Sequence, residues 1–263
     1  MHRRNLALIA LVLLAPAISV LAQDIEQEFT WSGSVASGGS IEIQNLNGAI
    51  AAESASGNEV EVRAIKKGPA GDVAEVRIEV VEHAGGVTIC AVYPTKNGRE
   101  NVCAAGDDSD LHNNDKNKTR VAFEVRVPAG VEFVGATMNG QVTADGMQSN
   151  LRLTTMNGAI SADSTGWVHA TTMNGAVDVE MGSADWSGEI ELTSMNGAIT
   201  VTLPASAGVT VDAETMNGRV SSDWDDVQVH GRRKNHASGT IGGGGRDLEL
   251  STMNGSIRLQ RAR

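Results

Sequence analysis

Six methionines recur at regular spacing along the last half of the chain, each between a Thr or Ser and an Asn-Gly pair. They are Met138, Met156, Met173, Met195, Met216 and Met253. Stacked thioethers could share a soft ion such as Cu(I), scavenge oxidants, or form an apolar strip that contacts a partner. Two simpler alternatives are that they only pack on one another, or that they turn into the core and fill gaps there.

Strand parity favours the exposed alternative for these methionines. In the run 151–157, apolar residues alternate with polar ones, as in a strand with one buried face. The buried set then contains Leu151, Leu153, Thr155 and Asn157, and Met156 points outward. The same count applied to the other repeats predicts an exposed column of six methionines.

The chain has only two cysteines, Cys90 and Cys103, separated by 13 residues. In an oxidising compartment such a pair predicts one disulfide. Closing so short a loop would stabilise the fold by about 3 kcal/mol in the chain-entropy model. The alternative of a reactive or metal-binding pair lacks a second pair of ligands nearby.

Two polar segments are candidate ligand sites. Arg232, Arg233, Lys234 and His236 form a basic cluster that could bind an anionic glycan, a lipid headgroup or phosphate, although it could equally be a solvated loop. The segment 107–115 is rich in oxygen ligands. It lacks the Gly and the terminal Glu of a helix–loop–helix calcium site, so it is interpreted as a solvated loop beside the disulfide.

The sequence contains no Gly-x-Ser-x-Gly elbow, no His-Glu-x-x-His and no Cys/His metal spacing. We therefore predict no catalytic residue, no metal site and no cofactor, and a protein that is not an enzyme. The chain carries 21 basic and 32 acidic residues, a net charge of −11. Such an acidic balance argues against nucleic acid as a partner.

The elements that position these residues follow from the repeat. Successive Met-Asn-Gly copies begin 18, 17, 22, 21 and 37 residues apart, which indicates a stack of similar units. Each unit has an alternating run before the Met and another after the Asn-Gly, as in 151–153 and 176–180. We read these as two strands joined by an Asn-Gly corner, with each strand paired in parallel to its equivalent in the next coil. The competing interpretation is an antiparallel meander of Asn-Gly hairpins.

In a parallel stack the asparagines would form a ladder of side-chain amides along one edge. Its members would be Asn139, Asn157, Asn174, Asn196, Asn217 and Asn254. The step of 37 residues predicts one extra coil without the motif, which would contain Val227–His230 and a surface loop. The N-terminal half carries the same alternation, in 41–43 and 60–63.

The predicted fold class is all-β, a single-domain parallel β-solenoid over 24–263. Its coils would have roughly 17–22 residues, and strand twist and crossover chirality favour a right-handed coil.

The pattern apolar-x-apolar-x-Thr-x-Asn-Gly, the Pro-Ala-Gly-Val at 128–131 and the Gly-Thr-Ile-Gly-Gly at 239–243 resemble a known family. It is the putative adhesin family of bacterial envelope β-solenoids, a domain of unknown function. The resemblance covers nearly the whole chain after residue 22. It implies the solenoid fold and surface adhesion, and it carries no catalytic residues.

The first 22 residues have a basic start and an apolar stretch that ends in Val20-Leu21-Ala22, as in a secretory signal peptide. Without Arg3 and Arg4 the balance is 19 basic against 32 acidic residues, a net charge of −13. No later stretch approaches 18 apolar residues, so we expect no transmembrane segment in the mature chain. An exported protein of the periplasm or cell surface is expected.

Two functions follow from these features. The first is a non-enzymatic β-solenoid that acts in adhesion, scaffolding or interaction at the cell envelope, with an envelope protein or a glycan as its partner. The alternative is a polysaccharide-binding or polysaccharide-cleaving β-helix. An enzyme would show a groove with converging acids and bases, whereas a scaffold would show flat faces and ladders.

Overall fold

A computed structural model of the protein describes residues 24–95 and 98–262, and the predicted signal peptide at 1–22 lies outside these residues. The described chain is all-β, as predicted. Its helical structure is one short helix, α1 (Ala70–Glu75), and a single turn of 3₁₀ helix at Gly106–Asp108.

The strands form two long sheets. In chain order they are β1 (Asp24–Gly33), β2 (Ser40–Asn47), β3 (Ile50–Ser54), β4 (Val60–Pro69), β5 (Arg77–His83), β6 (Gly86–Val92), β7 (Arg120–Val127), β8 (Glu132–Asn139), β9 (Val142–Met147), β10 (Leu151–Asn157), β11 (Ile160–Ser164), β12 (Val168–Asn174), β13 (Val177–Met181), β14 (Glu189–Asn196), β15 (Ile199–Leu203), β16 (Val209–Asn217), β17 (Val220–Ser222), β18 (Val227–His230), β19 (His236–Ile241), β20 (Asp247–Asn254) and β21 (Ile257–Arg261). Sheet A has the order β1-β4-β7-β3-β9-β11-β13-β15-β21-β17, and sheet B has the order β18-β19-β16-β20-β14-β12-β10-β8-β2-β6-β5.

Each coil contributes one strand to each sheet. In the coil of β10 and β11, the chain leaves sheet B at Asn157, turns at Gly158 and enters sheet A at Ile160. β10 pairs in parallel with β12, in the register that sets Leu153 against Ala170 and Thr155 against Thr172. Parallel pairing of equivalent strands therefore decides in favour of the solenoid and against the meander of hairpins. The core lies between the sheets and is built from the alternating buried residues of both.

Two of the N-terminal alternating segments depart from the predicted parallel stack. β4 is antiparallel to both β1 and β7, and β5 is antiparallel to β6. Alternation reports only that a strand has one buried face, and it does not distinguish parallel from antiparallel partners. The prediction of further coils in the N-terminal half was therefore wrong for β4 and β5, although both extend the two sheets. It is confirmed for 41–43, since β2 pairs in parallel with β8 and β3 pairs in parallel with β9.

The predicted extra coil between Met216 and Met253 is also absent from the described fold. The segment forms an antiparallel hairpin of β18 and β19, and β19 pairs with the outer edge of β16. The final coil, β20 and β21, instead lies between the coil of β14 and β15 and the coil of β16 and β17. Because the place beside β16 is already filled by β20, the intervening chain covers the opposite edge of β16.

The corner glycines are required by close stacking of the coils. A Cβ added to Gly158 would lie 2.0 Å from the carbonyl oxygen of Gly140, and one added to Gly175 would lie 1.9 Å from that of Gly158. Neither glycine has a left-handed φ. The Asn-Gly pair thus acts here as a flat corner that lets the next coil approach, and not as the positive-φ turn of a hairpin.

The stacking explanation predicts the effect of a single methyl group. We expect Gly175→Ala to lower the free energy of unfolding by about 3 kcal/mol or more, because the clash is with backbone that cannot move independently. Gly57→Ala is the matched control, since Gly57 is exposed and its Cβ would meet nothing within 4 Å. Denaturant unfolding of both variants measures the difference, and equal midpoints would contradict the explanation.

Candidate functional site

The residue before each methionine fixes the strand to its neighbour. The Thr155 hydroxyl donates to the carbonyl oxygen of Gly140 at 2.8 Å, and the Thr172 hydroxyl donates to that of Gly158 at 2.9 Å. Thr137, Ser194, Thr252 and Thr215 make the equivalent bond. Each hydroxyl is buried, so this bond satisfies a donor that would otherwise be costly to bury. This hydrogen bond therefore fixes the rotation of the strand about its axis. Because side chains alternate along a strand, the methionine that follows the Thr or Ser points outward.

The residue after each methionine forms the predicted ladder. The Asn174 side-chain amide donates to the Oδ1 atom of Asn157 at 2.9 Å and accepts from the amide of Asn196 at 2.9 Å. In stack order the ladder runs Asn139, Asn157, Asn174, Asn196, Asn254, Asn217. The order differs from that of the chain because the final coil is inserted next to β14.

The prediction that Asn157 points inward was wrong, because Asn157 and the other ladder asparagines are exposed. The burial alternation ends at Thr155. The corner begins directly after it and takes the asparagine out of the core. The ladder is thus a row of hydrogen bonds along an outer edge of the solenoid.

The methionines form an exposed row. Met156, Met173, Met195 and Met253 are 40–42% exposed, and Met216 is 64% exposed. Met138 is half-buried and packs against the core cluster. By contrast, Met147 and Met181 are 1% exposed. Among the described residues, five of the seven large hydrophobic side chains with high exposure belong to this row, so exposed apolar surface is concentrated in one place.

All of these methionines except Met216 line a groove of about 600 Å³ on the outer face of sheet B, which we call the methionine groove. Beside the methionines lies a row of outward threonines, Thr154, Thr171 and Thr193. Ser109 and Leu111 line the groove near Met138. They belong to the segment that follows Cys103. Cys103 forms a disulfide with Cys90, with a Cα–Cα distance of 5.8 Å. The predicted disulfide is confirmed, and it ties this segment to β6.

The charges beside the groove are unequal along its length. On β14, β20 and β16 the outward residues before the methionines include six carboxylates, which we call the acidic half: Glu189, Glu191, Asp247, Glu249, Asp212 and Glu214. Oxygen atoms of Glu189, Glu191 and Glu249 lie within 4.8 Å of one another. Partial desolvation, followed by the charges of Glu189 and Glu191, raises the pKa of Glu249.

The other half of this face, on β8, β10 and β12, is close to neutral. Arg152 pairs with Glu132 at 2.7 Å, and its guanidinium lies 5.0 Å from the ring centre of Trp167. His169 is half-buried, and burial together with the nearby Arg152 lowers its pKa. The surface beside the methionine groove therefore runs from a neutral half to an acidic half.

Residues 40–260 match the sequence model of the family described as Toastrack DUF4097. The chain belongs to this family. Comparison with curated protein sequences finds no significant match.

Two solved structures are similar to this chain at low sequence identity. A putative cell adhesion protein from Clostridium sporogenes ATCC 15579 is 15% identical, with 90% of this chain and 100% of that one covered and a TM-score of 0.51. A putative adhesin from Bacteroides fragilis NCTC 9343 is 11% identical, with 89% and 97% covered and a TM-score of 0.37. The first likeness supports a shared fold. The resemblance to an adhesin-like family of unknown function is thus supported.

The basic cluster of this Toastrack chain is divided in the structure. Arg232, Arg233 and Lys234 lie together on the exposed turn between β18 and β19. His236 instead lies on β19, where its Nε2 atom is 3.3 Å from a carboxylate oxygen of Asp212 and its ring stacks on that of His230. His236 thus belongs to the edge of the acidic half, and the other three residues form a separate cationic turn.

Three tryptophans and one pair of aspartates bear on the polysaccharide alternative. Trp167, Trp186 and Trp224 are buried at the flanks of the coils, so their rings are not available to stack on a sugar. On the outer face of sheet A, burial, followed by the nearby carboxyl group of Asp145, raises the pKa of Asp163.

No helix among the described residues is long and apolar enough to cross a membrane.

The hydrogen bond from the Thr or Ser hydroxyl to the corner glycine predicts different roles for two adjacent threonines. Thr172→Val leaves the Gly158 carbonyl without its side-chain donor, and we expect it to lower the free energy of unfolding by about 1–2 kcal/mol. Thr171→Val changes an outward side chain of the groove, and we expect it to change stability by less than about 0.5 kcal/mol. Denaturant unfolding of the two variants makes the comparison, and equal losses would contradict the assigned roles.

Proposed function

We propose that this member of the Toastrack family is an exported, non-enzymatic β-solenoid that acts in adhesion, scaffolding or interaction at the bacterial cell envelope. The methionine groove is its contact surface. The observation that carries the proposal is the concentration of exposed large apolar side chains in one row. Contiguous exposed apolar surface on a protein usually marks a site of contact with another molecule.

The dimensions of the row support recognition of an extended partner. Six methionines lie on six neighbouring strands of sheet B, so the row spans about 24 Å at the usual strand separation. The Thr–Gly bonds and the Asn ladder hold this row on a rigid surface. A rigid surface lowers the conformational entropy that is lost when a partner binds.

Export is supported by three features. Residues 1–22 resemble a signal peptide. The disulfide between Cys90 and Cys103 is of the kind that persists in oxidising compartments. The solved structure with a TM-score of 0.51 is described as a putative cell adhesion protein, which fits a role at the cell surface.

A binding assay tests this function. Labelled protein of residues 24–263 is incubated with envelope fractions of the bacterium that encodes it, and the bound fraction is measured by titration. We expect the double variant Met173→Gln/Met195→Gln to weaken binding by about 10-fold or more. Two methionine side chains that the partner buries would contribute well over about 1.4 kcal/mol to the binding free energy. Arg232→Ala/Arg233→Ala is the control, and we expect it to bind like the unchanged protein.

Two results would overturn the proposal. Loss of binding in the arginine variant, with the methionine variant unchanged, would place the contact surface at the cationic turn. Release of reducing ends from envelope polysaccharides that is lost in Asp163→Asn would instead establish the polysaccharide-cleaving alternative.

A further inference from the structure

The acidic half, which lies beside the methionine groove, has no matching cations on its own strands. The outward residues of β14 are Glu189, Glu191, Thr193 and Met195, and the equivalent residues of β20 are Asp247, Glu249, Ser251 and Met253. β16 contributes Asp212 and Glu214 beside Met216. None of the outward positions on these three strands is Lys or Arg. The cation-forming side chains on the flanking strands include His236, at 3.3 Å from Asp212, and His169, whose Nδ1 atom is 3.4 Å from the backbone nitrogen of Glu191.

The acidic and apolar rows run side by side along the solenoid. Glu191 and Glu249 are register partners, and each precedes its methionine by four residues on the same strand. Four residues of strand span about 13 Å. Between the two rows lie the shorter side chains of Thr193 and Ser251, which form the floor of the groove.

An α-helix fits these dimensions. With its side chains a helix is about 10–12 Å wide, so it can lie across the floor with one side on the methionines and the opposite side toward the carboxylates. The row of six methionines spans about 24 Å, which equals the length of a helix of about 16 residues at 1.5 Å per residue. Methionine adapts its shape to varied apolar side chains, which suits a surface that receives a helix.

We propose that the methionine groove binds a cationic amphipathic α-helix of a partner protein, with apolar side chains on the methionines and Lys or Arg side chains on the acidic half. This inference rests on the proposed function, since it names the class of partner that occupies the same surface. Charge complementarity carries it: six carboxylates on three adjacent strands repel one another, and cations on the bound helix would relieve that repulsion.

The same charges disfavour two other occupants. A second copy of this chain also has a net charge of −11, and Arg152, the outward arginine of the neutral half, is already paired with Glu132. A membrane surface with anionic lipids would be repelled by the carboxylates that flank the apolar row.

The test uses a fluorescein-labelled synthetic peptide of about 16 residues, made of Leu and Lys placed so that a helix has one apolar side and one basic side. Fluorescence anisotropy follows its binding to the protein of residues 24–263. One control peptide has the same composition in scrambled order, and another has Glu in place of every Lys. We expect the amphipathic basic peptide to bind at least about 10-fold more tightly than either control.

Paired variants separate the two parts of the surface. Glu191→Gln/Glu249→Gln should weaken binding by about 5-fold at low salt, and the effect should shrink as ionic strength rises. Asp178→Asn/Glu180→Gln is the matched control, because it removes the same charge from exposed positions on the outer face of sheet A. Met173→Gln/Met195→Gln should weaken binding at every salt concentration, since the apolar contact is not screened. The unfolding midpoint of each variant checks that the fold is retained.

Several outcomes would overturn the inference. Equal binding of the scrambled peptide would show that binding needs only general charge attraction. An equal loss of affinity in the Asp178→Asn/Glu180→Gln control would show the same. Equal binding of the Glu peptide would remove the role of the acidic half. Sedimentation that shows a dimer lost in Met173→Gln/Met195→Gln would assign the groove to a second copy, and binding to anionic phosphatidylglycerol vesicles would assign it to a lipid surface.

Failure of the helical-partner proposal can be distinguished from failure of the proposed function. If binding to the envelope depends on the two methionines while the basic peptide does not bind, the helical partner is wrong and the contact surface stands. If neither binding depends on the methionines, both proposals fail.

Discussion

The close approach of one coil to the next at the Asn-Gly corner is the constraint on which the rest of the structure depends. The carbonyl oxygen of each corner glycine lies where a Cβ of the next glycine would be, and it accepts the buried Thr or Ser hydroxyl of that same coil. This bond sets the rotation of the strand, so the following methionine must point outward. The exposed row is thus a consequence of how tightly the corners stack, and the Asn ladder secures the same edge from outside.

The same constraint explains why coils of different length can stack. Return loops vary, yet Thr, Met, Asn and Gly keep one register from Thr137 to Thr252. It also allows the final coil to enter out of chain order. The corner of Gly255 stacks on Gly197, and that of Gly218 stacks on Gly255, at distances in the same range as those of the sequential pairs. Stacking therefore depends on matched corners, and it does not depend on the length or the order of the loops that connect them.

Much of this could be predicted from the sequence where a local rule applied. Period-two alternation identified the strands, the fixed spacing of Met-Asn-Gly identified parallel coils, and parity placed Met156 outside. The rule failed at Asn157, because alternation ends where the corner begins. It also failed where the outcome depended on partners distant in sequence: β4 against β7, and β19 against β16. The acidic half could not be recognised, since Asp212, Glu191 and Glu249 become neighbours only through the inserted final coil.

The central claim is that stacking holds one methionine row in solvent, and the rate of oxidation of each methionine measures this directly. Limited hydrogen peroxide treatment of the folded protein, followed by peptide mass spectrometry, reports the sulfoxide formed at every position. The account predicts that Met156, Met173, Met195, Met216 and Met253 oxidise at least about 10-fold faster than the buried Met147 and Met181. Equal rates, or protection of the row relative to Met147 and Met181, would show that the methionines turn into the core and would contradict it.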